Sequence, residues 1–98
     1  MYFIIVNTDK PGQNALRLAT RPVQHAYLDG FAERIPFAGP TVTEDASQSM
    51  GNLIVFEADS YADAEAFARA DPYAKAGLFD TTCIRPWKCT FGRLMEQA

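Results

Sequence analysis

A chain of 98 residues makes one domain, residues 1–98, with enough material for a single core and a second buried face only against a partner. Hydrophobic residues make up 48% and charged residues 21%, a globular balance that excludes intrinsic disorder. A formal charge of -3 and the lack of any basic run argue against nucleic acid and anionic membranes as partners, because both are held through Lys/Arg clusters.

The N-terminus enters Tyr2-Phe3-Ile4-Ile5-Val6 directly, without a charged leader or a small-residue cleavage site, so no signal peptide is expected. No apolar run approaches the ~20 residues needed to cross a bilayer. Cys83 and Cys89 fall in a strand-like stretch, on one face and about 20 Å apart at ~3.3 Å per residue. That is too far to bridge, and they are expected to be free thiols in a reducing cytoplasm. With one histidine and no C-x-x-C, no metal site is expected.

Tyr2 to Thr8 is a β-branched and aromatic run closed by Asp9-Lys10-Pro11-Gly12, a strand followed by a turn. Gln13 to Ala19 reads as a short helical piece. Thr20 then offers an N-cap with Pro22 in the first turn, and Val23, Ala26, Tyr27, Gly30, Phe31 and Arg34 recur at helical spacing to about Glu33 or Ile35. Phe37 to Thr43 is a second strand with a bend at Gly39-Pro40. Glu44 to Gly51 is a polar turn, and Leu53 to Ala58 a third strand, forming a hairpin with the second. Ser60 caps a second helix with an Ala64, Phe67 and Ala68 stripe, ended by Asp71-Pro72. Leu78 to Phe91 is the last strand, punctuated by Pro86, and the tail after Gly92 is expected to be loose.

The resulting order, β-α-β-β-α-β, is the ferredoxin-like plan: an α+β fold with a four-stranded antiparallel sheet and two helices on one face. Strand one is nonetheless apolar on both sides, with Tyr2, Ile4 and Val6 opposite Phe3 and Ile5. Strand three repeats this, with Leu53 and Val55 opposite Ile54 and Phe56. A half-solvated sheet alternates more cleanly. The second face is therefore expected to be buried in a homodimer, sheet against sheet.

His25 is the single histidine, and histidine is the side chain that titrates nearest neutrality. A lone histidine is more often a surface or packing residue than a catalyst. The topology changes the comparison. The two helices run antiparallel on one sheet face, so the end of helix two, at Asp71, lies near the start of helix one. A carboxylate on one ring nitrogen would fix the tautomer and raise the basicity of the other. Asp71 is otherwise a plain helix terminator, and Asp29, four residues after His25, is a rival partner. Arg17 and Arg21, four apart, can present planar forks to a carboxylate or phenolate, or pair with local acids. Trp87 is the only tryptophan, a residue more often found in a core or dimer interface than in a ligand wall.

Five short pieces in fixed order resemble the YCII-related proteins: Asp9-Lys10-Pro11-Gly12, Arg17-Leu18-Ala19-Thr20-Arg21-Pro22 leading into His25, Ala38-Gly39-Pro40, Asp71-Pro72-Tyr73 with Ala76-Gly77-Leu78, and Ile84-Arg85-Pro86-Trp87. The resemblance implies a dimeric α/β barrel of two ferredoxin-like units and a pocket with a His–Asp pair, which by position is His25 with Asp71. It also implies acid/base work on a small, aromatic-derived molecule, because one relative is a dehydrochlorinase of a chlorinated hydroxyquinol.

Two readings follow. The first is a cofactor-independent lyase or isomerase in which His25 is the acid or base, Asp71 orients it, Arg21 holds an anionic substrate, and Gly39, Pro40 and Trp87 shape the pocket. The second is a non-catalytic small-molecule-binding or accessory module built on the same residues.

Overall fold

Strand β1 (Tyr2–Asp9) sits at the centre of the sheet, and its alternation sets the core. In the computed structural model, which describes residues 1–93, it is followed by α1 (Asn14–Asp29), a 3-10 turn (Ala32–Arg34), β2 (Phe37–Val42), β3 (Ser49–Glu57), α2 (Tyr61–Ala70), a one-turn α3 (Pro72–Lys75) and β4 (Phe79–Trp87). The sheet order is β2-β3-β1-β4 and every neighbouring pair is antiparallel. This is the expected ferredoxin-like α+β topology. Residues 94–98, where a loose tail was expected, lie outside the described residues.

Register places residues of one parity on the helix-facing side. Phe3 stands opposite Phe56 and Pro86, and Ile5 opposite Ile54 and Ile84. Phe3, Ile5, Ile54, Phe56 and Ile84 meet Ala64, Phe67 and Ala68 of α2 in one core. Burial of each large apolar side chain is worth about 1.5–3 kcal/mol relative to exposure. Phe67 of α2 stacks on Phe56 of β3 with ring centres 3.8 Å apart and on Tyr27 of α1 at 5.4 Å, so the two helices and the sheet share an aromatic junction.

The helices correct the sequence expectation in two places. Residues 14–29 form one helix, so Thr20 does not open a second and Pro22 lies inside α1. A mid-helix proline removes one hydrogen bond and costs about 3 kcal/mol. The continuity comes from tertiary anchoring: Arg17 and Gln24, seven residues and two turns apart, are both buried on the inner face on either side of Pro22. His25 therefore sits in the second half of α1, away from the helix N-terminus. The other difference is α3. Asp71 ends α2 and at once caps α3, its Oδ1 accepting from the Tyr73 N–H at 2.9 Å. The turn closes in a Schellman motif, with Leu78 N donating to Tyr73 O and Gly77 N to Ala74 O around Gly77 at φ +78°.

Strand limits shift as well. β3 starts at Ser49, inside the expected polar loop, because Asn7 and Thr8 of β1 extend its ladder to Asn52 and Gly51. β2 ends at Val42 and runs straight through Gly39-Pro40. β4 ends at Trp87, so Cys89 lies beyond it; both cysteines are free. Ser60 caps α2 as expected, accepting from Asp63 N at 3.2 Å. Pro40 and Pro86 fall on β2 and β4, the two edge strands, where a missing N–H is tolerated.

The side of the sheet away from the helices carries Tyr2, Ile4 and Val6 of β1, Leu53 and Val55 of β3, Phe37 of β2 and Cys83 and Trp87 of β4. Ile4, Val6 and Leu53 are half-buried and Phe37 is 41% exposed, an apolar surface that no element among the described residues covers. No helix among the described residues is long and apolar enough to cross a membrane.

Candidate functional site

A cleft of about 280 Å³ opens between α1 and the β2–β3 half of the sheet. Arg21, Gln24 and His25 face it from α1, Ala38, Gly39 and Pro40 from β2, Ser49 and Asn52 from β3, and Tyr73 from α3. No carboxylate is among its lining residues. In a chain of net charge -3 the cleft is thus a locally cationic place.

The two arginines have different fates. Arg17 is buried and fully engaged: Nε donates to Asp9 Oδ2 at 2.7 Å, Nη2 donates to Gly51 O at 2.8 Å, and the guanidinium lies over the Tyr73 ring. It holds β1, β3, α1 and α3 together. Arg21, one turn further on, is exposed and keeps its charge for the cleft.

His25 is exposed at the rim, with no hydrogen-bond partner among the described residues. Asp71 is 1% exposed, behind the cleft wall. Topology brings the end of α2 to α1 as expected, but the α1 residue that meets Asp71 is Gln24, whose Nε2 donates to Oδ2 at 3.5 Å. Successive helix residues are rotated by about 100°, so of these two lining residues Gln24 is buried at depth with its amide on Asp71, while His25 stands exposed at the rim. Asp29 is exposed and not bonded to His25. Burial pushes the Asp71 carboxyl above the usual carboxylate range, against the opposing pull of the Tyr73 N–H, the Gln24 amide and the Arg17 guanidinium.

Gly39 and Pro40 line the cleft. Trp87 does not. It ends β4 in register with Tyr2, on the face turned from the helices, because a period-2 strand puts it on the other side from Ile84. Sequence reasoning also passed over Gln24 and the polar chain Thr82–Asn7–Asn52. In that chain Thr82 Oγ1 donates to Asn7 Oδ1 and Asn7 Nδ2 donates to Asn52 Oδ1, each at 2.7 Å. A signal existed: Asn7 continues the inward phase of Phe3 and Ile5, and Asn52 that of Ile54 and Phe56.

Residues 1–88 match the model of the YCII-related domain. The chain belongs to the YCII family. It is 31% identical to protein YciI of Escherichia coli and to that of Shigella flexneri, each alignment covering 93% of this chain and 100% of the relative. Among solved structures it is similar to 5-chloro-2-hydroxyhydroquinone dehydrochlorinase from Burkholderia phenoliruptrix, solved in complex with 2,5-dihydroxybenzoquinone. The identity there is 33% and the TM-score 0.84, over 90% of this chain and 94% of that one. This YCII chain therefore shares its fold and a third of its residues with an enzyme that acts on a small hydroxylated ring.

Proposed function

We propose that this YCII chain is a small cofactor-independent enzyme of the lyase or isomerase type, acting on a small aromatic-derived anion. The observation that carries the proposal is the placement of His25 and Arg21 together on a cleft with no acidic lining residue. The dehydrochlorinase activity of the similar structure supports the same class of chemistry.

In this proposal a ring hydroxyl or acidic C–H of the substrate gives its proton to His25. Arg21 compensates the oxyanion that results, and Gly39 and Pro40 form the flat wall on which the ring lies. A leaving group then departs with its electron pair, or His25 returns the proton to a different carbon. Asp71 acts from behind. Its carboxylate accepts from the Gln24 amide and so fixes the side chain next to His25 on the cleft wall. No step calls on a metal or an organic cofactor.

The proposal includes a cytoplasmic homodimer with the two open sheet faces together, supported by the uncovered apolar surface of Ile4, Val6, Leu53 and Phe37. A sedimentation mass of one chain at micromolar concentration would rule the dimer out.

The decisive experiment is a turnover screen over hydroxylated and halogenated quinols and lactones with product analysis, followed by His25→Ala. General acid/base catalysis is worth roughly 10²–10⁴-fold, and the substitution is expected to remove that much of kcat. Saturable binding across the panel with no product would favour a non-catalytic binding module instead.

A further inference from the structure

We infer that Asn52 is a specificity-determining residue of the cleft, donating its side-chain N–H groups to an oxygen of a planar oxyanion. The inference rests on the substrate class proposed above and adds the group that reads it from the sheet side.

Phe3, Ile5, Ile54, Phe56 and Ile84 make the neighbouring part of this helix-facing side apolar, so three polar side chains in a row across it need a reason. Thr82 on β4, Asn7 on β1 and Asn52 on β3 stand in register. The chain of bonds runs in one direction, from the Thr82 hydroxyl to Asn7 Oδ1 and from Asn7 Nδ2 to Asn52 Oδ1. Each link uses up an acceptor and leaves the last amide with its donors unspent. Asn52 is 6% exposed, and its Nδ2 has no partner among the described residues. The sealed, unpartnered polar side-chain atom among those residues is Asp9 Oδ1, so Asn52 Nδ2 is not sealed; it opens to the cleft that Asn52 lines.

A buried amide whose oxygen is already occupied presents donors alone, which selects an acceptor. Fixed by two further side chains, it is pre-organised and loses little freedom on binding. Arg21 on the helix wall supplies charge, while Asn52 on the sheet supplies direction. A ring carrying an ionised hydroxyl and a second oxygen meets both, and a neutral ether meets neither well.

The test uses para-nitrophenol, whose ionised and neutral forms absorb differently, and its methyl ether para-nitroanisole, which cannot ionise. In the wild type the phenolate binds more tightly than the ether and the bound phenol ionises at lower pH than the free one. Asn52→Ala is expected to weaken the phenolate by about ten- to a hundredfold, the scale of a hydrogen bond to a charged group, and to leave the ether unchanged. Asn52→Asp keeps the acceptor for Asn7 and the shape of the side chain but reverses its character, and is expected to reverse the preference. Thr82→Val, which releases the far anchor and leaves Asn52 in place, is expected to weaken the phenolate less than Asn52→Ala.

Equal binding of phenolate and ether by the wild type, binding of neither, or a preference retained in both folded Asn52 variants would overturn the inference. All readouts are equilibrium binding. If they come out as expected while His25→Ala leaves turnover intact, the proposed catalysis fails and the oxyanion site stands.

Discussion

The Arg17 guanidinium lies 4.8 Å from the centre of the Tyr73 ring, with its Nε on Asp9 at 2.7 Å. Both partners of that ion pair are about nine-tenths buried, and Asp9 Oδ1 already lacks a partner among the described residues. Removing the cation would leave a buried carboxylate unpaired, which costs 3–5 kcal/mol in comparable sites. Arg17→Met should therefore lower unfolding stability by about 3 kcal/mol, read as a shift of the urea midpoint. Pairing it with Asp9→Asn should recover part of the loss, and a double variant no better than the single one would show that the charge is not the cause.

Asp71 gives a stability that depends on pH in a definite direction. Burial raises its carboxyl, so the folded chain holds that proton more tightly than the unfolded chain does. The favourable contribution is complete below the unfolded pKa and is lost as pH rises through the folded value. Asp71→Asn keeps an acceptor for the Tyr73 N–H and carries no charge. It should be more stable than the wild type at neutral pH, with the gap closing as pH falls from the raised folded value to the ordinary carboxylate range. Urea unfolding at a series of pH values checks this; a gap independent of pH would mean that the ionised form carries no penalty. Activity should move the other way, because the proposed role of Asp71 needs the carboxylate oxygen that accepts from Gln24.

At Gly51 the backbone of β1 leaves no room for a side chain on β3. A Cβ built there would collide with the Asn7 carbonyl oxygen and sit 3.1 Å from Thr8 Cα, both parts of the backbone that cannot rotate aside. Gly51→Ala should cost about 3 kcal/mol, the upper end for overpacking, and should disturb the Asn7–Asn52 pair next to it. Thermal melts measure the first effect, and loss of phenolate binding the second.

The open sheet face supplies a fourth test. Ile4→Glu places a charge at its centre without touching the core side of β1. If the dimer proposed above forms, the variant should sediment as a single chain while keeping its circular dichroism. An unchanged mass for a folded variant would move the interface elsewhere.

Much of this architecture was legible from residue pattern alone. Continuous β-branched and aromatic runs at Tyr2–Val6 and Leu53–Phe56 marked two strands, Ser60 and Asp71-Pro72 bounded α2, and the order of elements placed the end of α2 beside α1. What pattern could not show was which side chain of α1 is anchored inward. Pro22 reads locally as a helix opening, and only Arg17 on Asp9 together with Gln24 on Asp71 holds the helix straight through it. The same ambiguity of one residue placed His25 against Asp71 where Gln24 stands. Asn52 belonged to no motif; its importance comes from Asn7 and Thr82, brought beside it from 45 and 75 residues' separation in the linked pairs.

Pro40 and Pro86 have a consequence for how the protein can associate. They interrupt the donor rows of the two outermost strands, so a foreign strand cannot lay down an unbroken ladder along either margin. Lateral growth of the sheet, the usual route from an apolar strand to a fibril, is blocked at both margins. An exposed apolar surface on such a sheet is left with one orderly way to escape water, which is stacking in the direction perpendicular to the strands' hydrogen bonds. The prolines thereby turn a surface prone to sticking into one that can accept a partner from above only.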